Sequence, residues 1–183
     1  MAFYGILPYM TSKNIIFSLR SSILHLRRNH ALEHAALHVL AHRFPQKRLA
    51  GHSDFQGLRI IGDVNLRDVQ EALEDALQRL RAGELGLAVH PHCGTNYVIG
   101  GGLAALAGAF AMRGKATDIW GWLDRISLAI LLGVLSLMLA QPLGALFQEH
   151  ITTSPEPHGL EVVSISTSDL GSMGKMHRVI TQG

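Results

Sequence analysis

Two apolar, glycine-containing runs, residues 97–112 and 126–147, limit what this chain can fold into more than any other feature of it. Neither carries a charged side chain. The second is long enough to cross a bilayer core, which takes an α-helix of roughly 20 residues. The first is short for a span, but adequate if the turn before it lies in the headgroups. Gly100, Ala104 and Gly108 recur every fourth residue in one run, as Ser136, Ala140 and Gly144 do in the other. Stripes of small residues let helix backbones approach closely. The runs therefore predict a transmembrane hairpin whose stripes pack on each other, or else join copies into a homodimer or a larger membrane complex. Trp120 and Trp122 between them suit a membrane interface, and Gln141 with Pro142 predicts a kink near the end of the second span.

The rest of the chain does not follow the hairpin into lipid. With 48% hydrophobic and 16% charged residues overall, the 183-residue chain is too apolar for an ordinary soluble domain and too charged in its first half for a wholly embedded one. Residues 22–96 are expected to form a small α+β domain ahead of the hairpin at 97–147. A formal charge of +2, with no basic run interleaved with aromatics, argues against nucleic acid as a partner and leaves the lipid bilayer. Arg113, Lys115 and Arg125 in the hairpin loop balance the longer basic complement of the soluble part, so charge does not decide orientation. The single cysteine, Cys93, fits a reducing compartment and puts the soluble part in the cytoplasm. Residues 1–14 lack the basic start and small-residue cleavage site of a signal peptide. They are read, as part of an N-terminal segment 1–21, as an interfacial stretch leading into residues 15–19. Residues 148–183, rich in Ser, Thr, Gly and Pro, are expected to be a disordered tail in which His150, His158 and His177 play no part.

The chemistry is concentrated in residues 29–35. From 22 to 43 there is neither Pro nor Gly, which predicts a helix. At about 100° per residue, Leu32, Ala35, Ala36 and Val39 form one face and His30, Glu33, His34, Leu37 and Ala41 the opposite one. Small and apolar residues surround the polar three, so this helix is buried on both faces, and a buried Glu needs a partner. Two imidazoles one turn apart with a carboxylate between them suit a metal held by His30 and His34, with Glu33 approaching a metal-bound water. His38 and His42 drift from His30 by about 80° and 120° and stand outside that set. His-x-x-Glu-His resembles the inverted zinc-peptidase signature of the inverzincins, which implies zinc on both histidines and the Glu as general base.

Inverzincins take a third ligand from a downstream carboxylate, and here the chain departs from them. Pro45 ends the first helix, residues 58–61 read as a strand after a hairpin turn near 53–57, and Asn65 caps a helix over 66–81. Val69, Ala72, Leu73, Ala76, Leu77 and Leu80 take that helix's inner face, turning Glu71, Glu74 and Asp75 to water. Gly83 stops it, and residues 85–89 are expected to be a further strand, completing a small α/β unit over 58–89.

The third ligand is instead sought in His90-Pro91-His92-Cys93-Gly94-Thr95-Asn96. Cys93, near the start of an apolar helix, is in a position that favours a thiolate. Two His, one Cys and an open position make a catalytic zinc set. His90 and His92 are the alternative ligands, and either one added to the three would close the site. Together the HALEHA, GLRIIGDV and HPHCGTN stretches and the apolar hairpin resemble an uncharacterised family of small bacterial membrane proteins, a domain of unknown function. That resemblance spans residues 29–147 and implies a membrane protein without implying a reaction.

The expected function is a membrane-anchored zinc hydrolase, a metallopeptidase working near the membrane surface, with His30, His34 and Cys93 as ligands and Glu33 as base. One alternative chemistry makes Cys93 a nucleophile paired with His90 or His34. The non-enzymatic alternative is a small membrane protein for complex assembly, with its histidines structural or holding haem.

Overall fold

A computed structural model describes residues 12–114, 116 and 118–183; the expected interfacial stretch at 1–14 lies largely outside them. The first helix, α1 (Ser12–Arg43), starts ten residues before the expected Ser22. Two strands follow as a hairpin, β1 (Leu49–Asp54) and β2 (Gly57–Gly62), closed by Phe55 and Gln56. Next comes α2 (Leu66–Arg81), with the bounds its hydrophobic pattern predicts. The Asn65 amide donates to Asp68 at its start, and Gly83, at φ +91°, lets the chain leave it.

Two expectations are corrected. Residues Leu85–Ala88 form a single 3-10 turn rather than a strand. Gly83 and Gly86 leave too short an apolar piece to pair, and the turn's carbonyls are consequently free of any sheet ladder. The tail is not disordered: it continues as a π-helical turn (Gln148–Thr152), β3 (Glu161–Asp169) and β4 (Lys175–Gln182). Val162, Val163, Ile165 and Thr167 in β3 and Val179, Ile180 and Thr181 in β4 are β-branched and suit a half-buried strand. The sheet is antiparallel with order β1-β2-β4-β3, so β2 takes its second partner from beyond the hairpin rather than from residues 85–89.

α1 and α2 pack on this sheet, making an α+β head. Leu32, Ala36 and Leu40 from α1, Leu58 and Ile60 from β2, Leu73 and Ala76 from α2 and Val179 from β4 share one core. His177 is fully buried on β4, where it donates from Nε2 to Val64 O at 3.0 Å and accepts from Thr167 at Nδ1, a structural use of a tail histidine.

The apolar runs form α3 (Gly94–Ala111) and α4 (Ile119–Phe147), a helical hairpin. Trp120 and Trp122 belong to the first turn of α4 rather than to the loop. Gly100 faces Ala140, whose Cβ would stand 2.9 Å from a Cβ built on the glycine, so the small-residue stripes meet within the hairpin. Among the described residues, Ile119–Thr152 is the one helix long and apolar enough to cross a membrane. At 18 residues, α3 is about 27 Å long.

Candidate metal centre

α1 carries His30, Glu33 and His34 on the side facing the turn before α3. His34 and Glu33 are buried, 1% and 5% exposed, and His30 is half-buried. The face can be polar because each ring has a partner fixed by another element. His34 Nδ1 donates to Ala88 O at 2.6 Å and His30 Nδ1 to Thr152 O at 3.0 Å. A carbonyl only accepts, so both rings carry their proton on Nδ1 and leave the Nε2 lone pair free, the arrangement metal-ligating histidines adopt.

Cys93 is the N-cap of α3. Its Sγ accepts from the Thr95 amide at 3.5 Å, meets Thr95 Oγ1 at 3.4 Å and stands 3.4 Å from His30 Nε2. One ligand atom each from His30, His34 and Cys93 lies within 4.8 Å of the others. Two donors on one tetrahedral zinc stand about 3.3–3.6 Å apart. The three residues therefore fit a metal ion with side-chain adjustment alone.

Two groups here titrate unusually. Burial pushes the Cys93 thiol up, but hydrogen bonding to His34, effective when that ring carries a second proton on Nε2, and to the Thr95 hydroxyl and amide outweighs this and holds it below the ordinary thiol value. Glu33 is raised from 4.5 to about 7, chiefly by burial, against the lowering influence of His30 and the Ser53 side chain. Gly51 makes room for it: a Cβ there would overlap the Glu33 carboxylate.

The alternative ligands stand apart from this cluster. The His90 ring centroid is 5.7 Å from that of His34, and its Nδ1 accepts from the His92 amide at 3.2 Å. Burial and the neighbouring His38, His34 and His92 lower the His90 pKa to about 4. His92 is exposed, and its ring is 5.8 Å from that of His90. His38 donates from Nε2 to Val89 O at 2.9 Å, and His42 is exposed. The downstream carboxylates lie on the outer face: Glu71 pairs with Arg67 and Arg43, and Asp75 with Arg43. Asp54 is engaged by Arg178 and Arg59.

Asn29, Thr152 and Gln148, which sequence reasoning passed over, hold the site together with Asn96 of the Cys93 turn. Asn29, fully buried, donates to Asp54 O and accepts from Thr181, fixing α1 against both β1 and β4. Thr152 supplies the His30 acceptor. Gln148, also fully buried, accepts from the His90 amide and donates to Asn96 Oδ1, both at 2.8 Å, while Asn96 donates to Pro91 O at 2.7 Å. These bonds fasten the cysteine-bearing turn to the end of α4. The available signal was polar side chains inside or beside apolar runs, which need partners once buried. The result is a cleft of about 600 Å³ with the His/His/Cys cluster and Glu33 at its polar end and Ile23, Leu26 and Ile151 along its apolar wall.

The family model described as "Domain of unknown function (DUF6391)" matches residues 25–165. An uncharacterized protein of Picosynechococcus sp. strain PCC 7002 is 34% identical over 164 residues, covering 82% of this chain and 77% of its own. No solved structure matches the chain.

Proposed function

We propose a function from one premise: the chain belongs to the family described as a domain of unknown function (DUF6391), so its own site is the guide to its chemistry. The reading is a zinc-dependent hydrolase, a metallopeptidase acting near a membrane surface. One observation carries it. Two imidazoles with their Nδ1 protons committed to carbonyls turn free Nε2 atoms toward a thiol of lowered pKa, in a cleft that also holds a buried carboxylate.

His30, His34 and Cys93 would hold the ion. Zinc on two His and one Cys supplies Lewis acidity and an open position for water or substrate. Glu33 accepts the proton of the attacking water as its oxygen bonds to the acyl carbon. It returns that proton to the departing amine nitrogen as the C–N bond breaks. A raised pKa suits both halves of that duty at neutral pH. Asn96 and Gln148 orient the Cys93 turn, and Gly51 leaves Glu33 its space. The proposal has α4 crossing the membrane with α3 beside it, and the head on the cytoplasmic side for its free thiol.

Metal analysis of the purified full-length protein tests the reading. One zinc per chain is expected, lost in His34→Ala and in Cys93→Ser. Less than one zinc in the wild type, or an unchanged content in His34→Ala, overturns the centre. Glu33→Gln is expected to keep its zinc and lose hydrolysis by about 10²–10⁴-fold; hydrolysis surviving that change removes Glu33 from the chemistry. A Soret band in the detergent extract would replace zinc with haem.

A further inference from the structure

Among the described residues, the sheet order leaves β1 with one partner, β2, and its other edge open. β1 borders the cleft: five consecutive residues, Leu49 to Ser53, line it together with the Cys93 turn. No backbone hydrogen bond outside the β1–β2 ladder engages these five among the described residues. In an antiparallel pair, every second residue of an edge strand turns its N–H and C=O away from the partner. The strand that borders the cleft therefore keeps a row of unpaired main-chain donors and acceptors on its free edge.

Exposed sheet edges are normally blunted by a bulge, a proline or lysines. The opposite edge, β3, follows that practice, with an irregularity between Val162 and Ser164. β1 has none of these devices: its register with β2 is unbroken from Leu49 to Asp54, and its sequence contains neither Pro nor Lys. Only the edge next to the cluster is left ready to pair.

We propose that the cleft takes an extended peptide segment as a fifth strand on β1, with its scissile amide carried past His30, His34 and Cys93. Main-chain bonds to β1 would supply register and affinity, and the wall of Ile23, Leu26 and Ile151 would select apolar side chains on the segment. A hydrocarbon chain would fill the same wall but leave the β1 amides unused, which favours a peptide over a lipid. This inference rests on the hydrolase reading and narrows its substrate to extended, apolar peptide.

The test uses the full-length, zinc-loaded protein in nanodiscs and a pool of internally quenched decapeptides with apolar central residues. The best-cleaved peptide is remade with a single N-methyl group at each amide in turn. A bound strand donates to the sheet edge at alternate residues only, so kcat/KM is expected to fall about tenfold at every second amide near the cleavage point and little between them. Cleavage equally tolerant of N-methylation at all positions overturns the strand and leaves the hydrolase standing. Hydrolysis of long-chain acyl esters with no peptide cleaved overturns it in favour of lipid. Independently of cleavage, the tightest-binding peptide of the pool and its own N-methyl series, each with a single fluorophore, are titrated against zinc-loaded Glu33→Gln by fluorescence anisotropy. The alternating pattern in binding, with no turnover by the wild type, supports the strand site and sinks the hydrolase. Absence of both binding and cleavage overturns this inference.

Discussion

The head and the hairpin bury opposite kinds of residue. In the head, Leu32, Leu40, Leu58, Ile60 and Leu73 are inside, and charged groups such as Glu71 and Arg67 are outside. In the hairpin, Gly100, Ser136, Ala140 and Gly144 are inside, while Trp120, Leu131, Met138 and Leu139 are outside. The head obeys the hydrophobic effect, which sorts apolar surface away from water. The hairpin is sorted the other way, leucines out and small residues at the contact, the pattern expected of helices in an apolar solvent, where close approach of backbones holds the pair together. The cluster lies at the seam: His30, Glu33 and His34 come from a helix of the head, and Cys93 from the residue that caps a helix of the hairpin.

The contrast breaks most readily at matched leucines. Leu40 is fully buried and Leu139 is 54% exposed. Unfolding of the full chain in detergent should show Leu40→Ala costing about 2–5 kcal/mol and Leu139→Ala less than about 0.5 kcal/mol. Equal costs would erase the distinction between the two interiors.

The head buries a carboxyl group against its own rule. Glu33 has a folded pKa of about 7 against 4.5 unexposed to the fold, so the native state binds the extra proton between those values and stability falls as pH rises through that window. In metal-free protein, Glu33→Gln is expected to be more stable than wild type by up to roughly 3 kcal/mol at pH 8, with the gain gone by pH 4. Melting curves at the two pH values check it; a gain of the same size at both would mean that packing, not ionisation, is responsible.

Glycines sharpen the hairpin side. A Cβ on Gly144 would overlap the Asn96 carboxamide, whereas one on Gly133 meets nothing within 4 Å. Gly144→Ala should cost about 1–3 kcal/mol and reduce zinc content through the displaced Asn96–Gln148 pair. Gly133→Ala should be neutral or stabilise by up to about 1 kcal/mol. Comparable metal loss in both variants would disconnect the Asn96 contact from the centre.

The smallest effect is expected at the rim of the head. Burial pushes Asp54 up, but its hydrogen bonds to Arg178 and Gln56 and the charges of Arg178 and Arg59 hold it below the usual carboxylate value. A depressed pKa contributes stability above the unfolded value and loses it as pH falls through the folded one. Asp54→Asn should therefore cost about 1 kcal/mol at pH 7 and flatten the acid limb of the stability curve below pH ~4. An unchanged acid limb would show that the pair with Arg178 is ornamental.

What was legible in the sequence was whatever depends on neighbours along the chain. Val69 to Leu80 repeat at helical spacing, so α2 and the outward direction of Glu71 and Asp75 could be read directly. The two faces of α1 and the β1–β2 hairpin were readable for the same reason. β3 and β4 were not, because Ser164, Ser166, Thr167 and Ser168 dilute their apolar pattern and their order depends on β2, more than a hundred residues earlier. The cluster was half legible. Spacing brings His30 to His34, but only the fold brings Cys93 to His30 and gives Thr152 and Gln148, polar residues beside an apolar run, their partners. Residues 85–89 misled because four apolar side chains read equally well as a strand until a partner is required.

The central position of β4 has a consequence for how the molecule is made. During synthesis the first 93 residues emerge with α1, β1, β2 and α2, yet β2 still lacks its inner neighbour, and His30 lacks the Thr152 carbonyl that orients its ring. Both arrive only after α3 and α4 have been translated. A nascent chain arrested in the hairpin holds an open sheet and an unaimed imidazole, so it matures only once the hairpin is complete and has brought β4 back to β2. Ladder bonds between β2 and β4 thus act as a proofreading step for the hairpin, closing only when α3 and α4 have folded back and returned the chain to the head.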